Sequence, residues 1–366
     1  MSQRKRHHYI PQFYLRKFSY KNNGKQIGVF NYSNNLYIST APIKYQAYEK
    51  YLYVDDEIEI ALGKLEEATS YIFNKIFEVC TPPPADHPLM NILKEFIYFQ
   101  HTRTIKAGDE TIELLNSSFQ AMFKLNKDYE EKYKDIRLKH EHPVLMTLME
   151  TAKGLPFMSH LTCKIIVNQS SLAFITSDNP VVKYNQLMEL RGLQNGTTGI
   201  ACKGLQIFFP IHPSVMIVLY DPYVYKMGKQ NEVTLITKNE HDIHQLNILQ
   251  YLSSRSQLFF NHEIKEPYLK GLTEKYKDKK RKLVSESITI PNKVVGNDGQ
   301  RHLLLNSRKE MSVRLSLSFM SISKAGKKFT LDNRLVYPRH PDLIKIGEIL
   351  REKDDYPIID EMDSFS

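Results

Sequence analysis

The chain is predicted to be an α+β protein, in which a mixed or antiparallel sheet built from hairpins packs against a central helical block. Two-residue hydrophobic periodicity occurs near the N-terminus and again from Cys163 onward, and this period indicates strands. Between these regions, apolar residues recur every three to four positions, which indicates consecutive helices. Strands that are grouped, and do not alternate with helices, favour α+β over a βαβ arrangement.

Three pairs of β-type runs are predicted to form hairpins, because turn-forming residues separate the two runs of each pair. The pairs are 26–32 with 36–40, 163–167 with 172–176, and 205–211 with 215–220. A further short strand is expected over 257–261. Together these runs would supply the sheet.

The helical block is predicted from amphipathic spacing. Its helices are expected over 56–79, 87–105, 111–126, 129–140 and 143–153, with another helix over 239–254. The second helix is apolar on most of its surface, so we expect it to be central. A short helix is predicted over 9–18, where Pro11 occupies the first helical position, at which its missing N–H costs nothing.

Three regions are expected along the chain. Residues 1–262 would form the core domain, and 263–310 a basic, loop-rich segment that includes Lys279–Lys282. Residues 311–366 would be a C-terminal extension with a strand over 313–319, a helix over 343–351 and an acidic end.

Composition favours an anionic partner. The 366 residues carry a formal net charge of +9, which biases long-range association toward nucleic acid or other phosphate-containing ligands. The three cysteines are far apart, so neither a disulfide framework nor a cysteine-rich zinc site is expected. Since there is also no secretory signal and no apolar stretch of membrane-spanning length, we expect a cytoplasmic protein that does not enter a membrane. The oligomeric state is left open.

Three segments resemble a widespread bacterial family known as domain of unknown function 4238. They are HHYIPQFYLRKF (7–18), FIYFQHTRT (96–104) and FITSDNPVV (174–182). The family's opening run, Gln-x-x-Arg helix, Thr-Ser-Asp-Asn-Pro turn and Phe-Pro strand end correspond to His7–Arg16, Gln100–Arg103, Thr176–Pro180 and Phe209–Pro210. The family usually has an aromatic residue, often Trp, before the turn, whereas this chain has no Trp. The resemblance covers roughly residues 5–262 and implies the place of a site, with no established activity.

The first candidate site residues are His7 and His8. Adjacent side chains point in different directions, so one imidazole could be a metal ligand or general base while the other orients the loop. The alternative is that His8 and Tyr9 cap the following helix and hold the N-terminus against the sheet. Gln12 and Arg16 lie one helical turn apart and could face a common pocket.

Gln100 and Arg103 lie on the apolar central helix, where a charge is usually paired. Arg103 could bind a phosphate or carboxylate in a bidentate manner with Gln100 beside it. Alternatively, it could form a structural salt bridge to Glu66 or Asp178.

Asp178 and Asn179 precede Pro180 at the end of a β-run. This is favourable turn chemistry, because the Asp side chain can bond the backbone two residues on. It is also a rigid position at which a metal ligand or general base is often found.

The sequence lacks a G-x-G-x-x-G, a Walker A and an H-E-x-x-H motif, which argues against the common nucleotide-binding and zinc-protease classes. Two hypotheses follow. In the first, the protein is an enzyme acting on a phosphate-containing substrate, nuclease-like and compatible with a defence effector, in which His8 and Asp178 hold a divalent metal ion. In the second, it is a non-enzymatic binding or regulatory protein, and the His, Arg and Asp motifs form a structural polar network.

Overall fold

The computed structural model describes residues 6–53, 56–124, 127–193, 195–229, 231–280, 285–292, 301–332 and 337–353. Over these residues the protein is a mixed α+β structure, as predicted. The helices are α1 (Gln12–Leu15), α2 (Asp56–Val79), α3 (Pro88–Thr102), α4 (Ile105–Phe123), α5 (Lys127–Tyr133), α6 (Pro143–Gly154), α7 (Gln186–Leu190), α8 (Glu240–Ser253), α9 (Glu266–Tyr276), α10 (Lys324–Lys328) and α11 (Asp342–Lys353).

The strands in chain order are β1 (Arg6–His8), β2 (Gln26–Asn31), β3 (Leu36–Pro42), β4 (Tyr48–Lys50), β5 (Thr162–Asn168), β6 (Thr176–Ser177), β7 (Val182–Tyr184), β8 (Gln206–His212), β9 (Val215–Tyr220), β10 (Tyr225–Met227), β11 (Thr234–Thr237), β12 (Gln257–Phe260), β13 (Ser285–Asn292), β14 (Arg301–Arg308) and β15 (Met320–Ile322). Two larger sheets and three two-stranded pairs result.

The larger sheet has the order β11-β5-β9-β8-β7, in which β11 runs parallel to β5 and the other neighbours are antiparallel. The predicted hairpin over 205–220 is confirmed as β8 and β9. Both faces of β8 are buried: Phe209 packs in a core with α1, α2 and α3, while Phe208 packs in a core with α8. A strand buried on both faces reads as a nearly continuous apolar run.

The second sheet has the order β3-β2-β12-β6. The predicted hairpin over 26–40 is confirmed, because β2 and β3 pair antiparallel. Helix α8 lies between the two sheets, since Leu246 and Leu249 pack with the larger sheet and Leu252 packs with Leu258 of β12. Nearly every residue of α8 from Asp242 onward is therefore buried.

The predicted hairpin of 163–167 with 172–176 is wrong. β5 pairs with β9 and β11, whereas Thr176 pairs with Phe259 of β12 in the other sheet. The Asn168 side chain accepts a hydrogen bond from the Ser170 N–H and donates one to the Leu172 carbonyl. This local turn carries the chain from one sheet to the other and does not return it along β5.

The region after residue 262 also differs from the prediction. The segment expected to be loop-rich contains α9 and the antiparallel pair of β13 and β14. In α9, Leu269, Leu272 and Thr273 are buried, and the many charged residues around them concealed this amphipathic spacing.

The C-terminal extension is partly as predicted. The strand expected over 313–319 is wrong: the strand in this region is β15, which begins one residue later, at Met320, and pairs with β10. Leu315 and Leu317 instead pack as irregular chain into the core beside α8. The predicted helix over 343–351 is confirmed as α11. The boundaries proposed at 262 and 310 stay a prediction.

Within the described ranges, none of the helices is both long enough and apolar enough to cross a lipid bilayer.

Candidate functional site

The two N-terminal histidines lie on β1, which pairs antiparallel with β4 so that His7 is opposite Glu49 and His8 opposite Tyr48. Successive side chains of a strand point to opposite faces. His7 is accordingly buried, stacks on the ring of Tyr53 with centroids 5.3 Å apart, and accepts the Tyr53 backbone N–H at its Nδ1 over 3.0 Å. Since Nδ1 is an acceptor, the ring proton is on Nε2.

His8 lies on the other face of β1, next to the ring of Tyr48. Burial lowers the pKa of its imidazole, with the charges of Arg6 and Arg16 acting in the same direction. A hydrogen bond to the Lys44 backbone carbonyl and the Glu66 carboxylate oppose this shift. His8 is therefore neutral at pH 7, the form in which an imidazole can accept a proton.

Arg103 follows the last residue of α3 and is 1% exposed. Its Nε and Nη2 both donate to Gln100 Oε1, at 2.9 and 2.6 Å, and its Nη1 donates to Glu66 Oε1 at 2.7 Å. Gln100 in turn donates to the Tyr9 carbonyl at 3.0 Å. Of the two carboxylates considered from the sequence, Glu66 is the one that Arg103 contacts, and the network ties α2 and α3 to the N-terminal motif.

Three polar atoms beside this network have no hydrogen-bond partner. Six buried side-chain nitrogen or oxygen atoms in the described part of the chain are unpartnered, and three of them are His7 Nε2, His8 Nε2 and the Tyr53 hydroxyl. Burial raises the pKa of Tyr53, and the nearby Arg103 charge opposes the shift. We refer to His7, His8 and Tyr53 as the histidine pocket; His7 and Tyr53 stack on each other, whereas His8 lies on the opposite face of β1. Unpartnered buried groups are uncommon, so each of these atoms is a candidate for a hydrogen bond to a water or ligand group.

A cleft of about 530 Å³ opens between α1, the turn at Gly24 and the short 3-10 turn Ile43–Tyr45. Its lining residues are Gln12, Arg16, Gly24, Lys25, Gln26, Pro42, Ile43 and Lys44. We refer to it as the basic cleft, because three of these side chains are cationic and none is acidic. Gln12 and Arg16, predicted to share a pocket, both line it. His8 adjoins the cleft through its hydrogen bond to Lys44.

Asp178 is 3% exposed, and its carboxylate accepts the backbone N–H groups of Arg255, Ser256 and Gln257 at 2.6 to 2.9 Å, together with the Ser256 hydroxyl at 3.1 Å. Burial raises the pKa of Asp178, and these backbone N–H groups oppose the shift. Through these hydrogen bonds the carboxylate stabilises the turn that precedes β12.

Asn179 has a comparable set of partners. It accepts from the Thr104 hydroxyl at 3.0 Å and donates to the carbonyl and hydroxyl of Ser253 at the end of α8. The turn therefore joins α4, α8 and the smaller sheet. The metal-binding and general-base roles considered for His8 and Asp178, and the place of Asn179 in a catalytic site, stay predictions.

The structure thus places the sequence candidates in four locations. His7 stacks on Tyr53 while His8 lies on the other face of β1, Gln100 and Arg103 form a network with Glu66, Gln12 lines the basic cleft, and Asp178 and Asn179 hold the turn before β12. Tyr53, Lys25 and Lys44 had not been singled out, because no local pattern marks a tyrosine or lysine whose importance depends on its partners.

The comparisons with known proteins give a family match over most of the chain. The model of a family described as "Protein of unknown function (DUF4238)" matches residues 6–263, well over half of the chain. Neither the curated proteins nor the solved structures contain a match.

Proposed function

Starting from a chain that belongs to the DUF4238 family, we propose that it binds a phosphate-containing ligand, most simply a nucleic acid strand, in the basic cleft and hydrolyses it with His8 as general base. The observation that carries the proposal is the cleft itself. Arg16, Lys25 and Lys44 line it without an acidic neighbour among the lining residues. A lining whose charged side chains are all cationic attracts and retains phosphate groups.

The cleft also has donors that can orient a phosphate. The Arg16 guanidinium provides a planar fork suited to two phosphate oxygens. Gln12 lies one turn away, with its Oε1 3.5 Å from Arg16 Nη2, and its amide N–H groups can donate to a further oxygen. The ligand would then lie across α1 and the loop that contains Lys44.

His8 supports a reaction beyond binding. Its ring is held by the Lys44 carbonyl, its lowered pKa leaves it neutral, and its Nε2 has no partner. A general base has these properties when it is close to the bond that reacts. In the proposed reaction, His8 accepts a proton from a water whose oxygen attacks phosphorus, the P–O bond to the leaving sugar oxygen breaks, and that oxygen takes a proton from solvent. In the alternative in which His8 holds a divalent metal ion, the ion would supply charge stabilisation and the imidazole would not act as the base. A role in defence is a further proposal that this activity would permit.

Binding and hydrolysis can be tested separately. Binding of a fluorescein-labelled single-stranded DNA and RNA of about 12 nucleotides would be measured by anisotropy over a salt series. Arg16→Gln should weaken binding about tenfold and reduce the slope of log K against log salt by about 0.7. Lys238→Gln, which removes an exposed lysine outside the cleft, is the matched control and should leave both quantities unchanged.

Hydrolysis of the same strands would be followed on gels with EDTA, Mg²⁺, Mn²⁺ or Zn²⁺. His8→Gln should retain binding and lose cleavage by roughly 100-fold or more. The proposal fails if the wild-type protein binds no better than Arg16→Gln, and its catalytic part fails if His8→Gln cleaves as fast as the wild type.

The second candidate function is a binding or regulatory protein in which these motifs are structural. It is favoured by the network of Arg103, Gln100 and Glu66, in which every guanidinium nitrogen has an acceptor. In that case Arg103→Ala should lower the free energy of unfolding by about 3 kcal/mol, because partners of a buried charge are left unpaired. An unchanged urea midpoint would rule out the structural role.

A further inference from the structure

A group of three metal-ligating side chains lies far from the histidine pocket in the sequence. His160 follows the 3-10 helix Leu155–Met158, and His340 and Asp342 lie at the start of α11. One donor atom from each of the three falls within 4.8 Å of the others. His160 belongs to the part of the chain matched by the family, whereas the other two residues lie beyond it.

The three donor atoms lie close to the separations of a divalent transition-metal site, and one ring would have to rotate. Asp342 Oδ2 lies 3.3 Å from His340 Nδ1 and 4.0 Å from His160 Nε2. The two imidazoles stack with centroids 4.1 Å apart at an interplanar angle of 14°, so metal binding would turn one ring until both lone pairs point at the ion. Tetrahedral Zn²⁺ with bonds of about 2.0–2.1 Å has ligand atoms separated by about 3.3–3.4 Å. The Asp342 side chain is about half exposed, so its carboxylate can move the remaining fraction of an ångström.

The backbone around His340 is held in place before any ion binds. The Arg339 guanidinium is 2% exposed and donates to the carbonyls of Ile200, Cys202 and Phe157, and the Arg339 N–H donates to the Ala201 carbonyl. A ligand on a fixed backbone loses little conformational entropy on binding a metal. Asp342 also donates its backbone N–H to His340 Nδ1 at 3.3 Å, a long bond that a metal at Nδ1 would replace.

Two cationic side chains, Lys94 and Arg339, lie near the three ligands, and both donate hydrogen bonds to backbone carbonyls. Lys94 donates to the Ser159 carbonyl at 3.0 Å, and Arg339 is bonded to the three carbonyls named above. They lower the affinity for a cation through space, while the Asp342 carboxylate raises it.

We propose that His160, His340 and Asp342 bind one Zn²⁺ ion, with a fourth position open to water, and that the ion fastens α11 to the family domain. Two imidazoles and a carboxylate are a ligand set that zinc commonly uses. The site joins His160 to residues that are at least 180 positions away in the chain, so the metal would act as a structural clip. This site does not depend on the function proposed for His8.

The test uses the full chain freed of metal by a chelator and titrated with Co²⁺ as a spectroscopic probe and with Zn²⁺ by calorimetry. The wild type should bind one equivalent with the visible absorption of low-symmetry cobalt. His340→Gln and Asp342→Asn should each weaken binding by roughly 100-fold, because a direct ligand is lost. His262→Gln, which changes an exposed histidine elsewhere, is the control and should bind as the wild type does.

The clip itself is tested by limited proteolysis with and without Zn²⁺. Zinc should slow cleavage between His340 and Lys353 at least fivefold in the wild type and have no effect on Asp342→Asn. Asp342 is exposed, so its variant reports on the site even if His340→Gln is poorly folded. Absence of a one-equivalent site in the wild type, or equal binding by Asp342→Asn, would overturn the proposal.

Discussion

The Asp178 turn and the histidine pocket are both built from distinctive polar motifs, yet they differ in whether their polar atoms have hydrogen-bond partners. The carboxylate of Asp178 accepts four hydrogen bonds, and the side chain of Asn179 has partners at both its oxygen and its nitrogen. His7, His8 and Tyr53 instead each retain an unpartnered atom. A saturated polar cluster stabilises a fold, whereas unsatisfied buried atoms lower stability and are retained where a ligand or a reaction uses them.

The largest effect is expected at the saturated turn. Asp178→Ala should lower the free energy of unfolding by about 3–5 kcal/mol, because three backbone N–H groups and a hydroxyl lose their acceptor in a buried place. Equilibrium urea unfolding measures this, and Asp109→Ala is the control, since its partner Arg255 is an exposed side chain. A loss below 1 kcal/mol would show that the turn does not depend on its carboxylate.

An intermediate effect is expected from Lys280, whose amine donates to the carbonyls of Tyr251 and Ser254 near the end of α8. Burial, with the charge of Lys106, lowers its pKa to about 7, although the Asp178 charge opposes the shift. Between pH 7 and the ordinary lysine pKa the unfolded chain therefore holds more protons than the folded one, and stability rises with pH.

Lys280→Met should remove this rise. The free energy of unfolding of the wild type minus that of Lys280→Met should increase by about 1–2 kcal/mol between pH 7 and pH 9. The measurement is urea unfolding at a series of pH values, with Lys270→Met as an exposed control. A difference that stays flat over this window would mean that Lys280 remains protonated in the folded state.

The smallest effect, with the opposite sign, is expected in the histidine pocket. Tyr53→Phe removes a buried hydroxyl that has no hydrogen bond of good geometry and only a weak contact with the Arg103 guanidinium, so it should leave stability unchanged or raise it by up to about 1 kcal/mol. Tyr14→Phe is the matched comparison, because the Tyr14 hydroxyl contacts Thr176 Oγ1 and donates to the Pro210 carbonyl. That variant should lose about 1–2 kcal/mol. Equal losses from the two variants in thermal and urea unfolding would remove the distinction between the two regions.

Much of the secondary structure could be predicted from local pattern. The helices α2, α3, α6 and α8 and the hairpins of β2 with β3 and of β8 with β9 follow from hydrophobic period and turn residues. Thr162–Asn168 was predicted as a strand within about a residue, but its partner was not, because pairing in a sheet is a non-local property. Helix α9 was missed because its two buried leucines, Leu269 and Leu272, are few among charged and polar residues.

The same division applies to the candidate site. The sequence by itself determined which residue types are available: the imidazoles of His7 and His8, the Gln12 and Arg16 pair on one helical face, and the carboxylate and amide of a turn-forming Asp178-Asn179 pair. Only the tertiary structure decided which groups these side chains contact. Asp178 meets three N–H groups that arrive from 255–257, and Arg103 meets Glu66 from another helix. Arg16 meets Lys25 and Lys44, which flank the two strands of the β2–β3 hairpin, in one cleft. The physical reason is that a polar group's role depends on whether its hydrogen-bonding capacity is filled, and the groups that fill it are brought by distant segments of the chain.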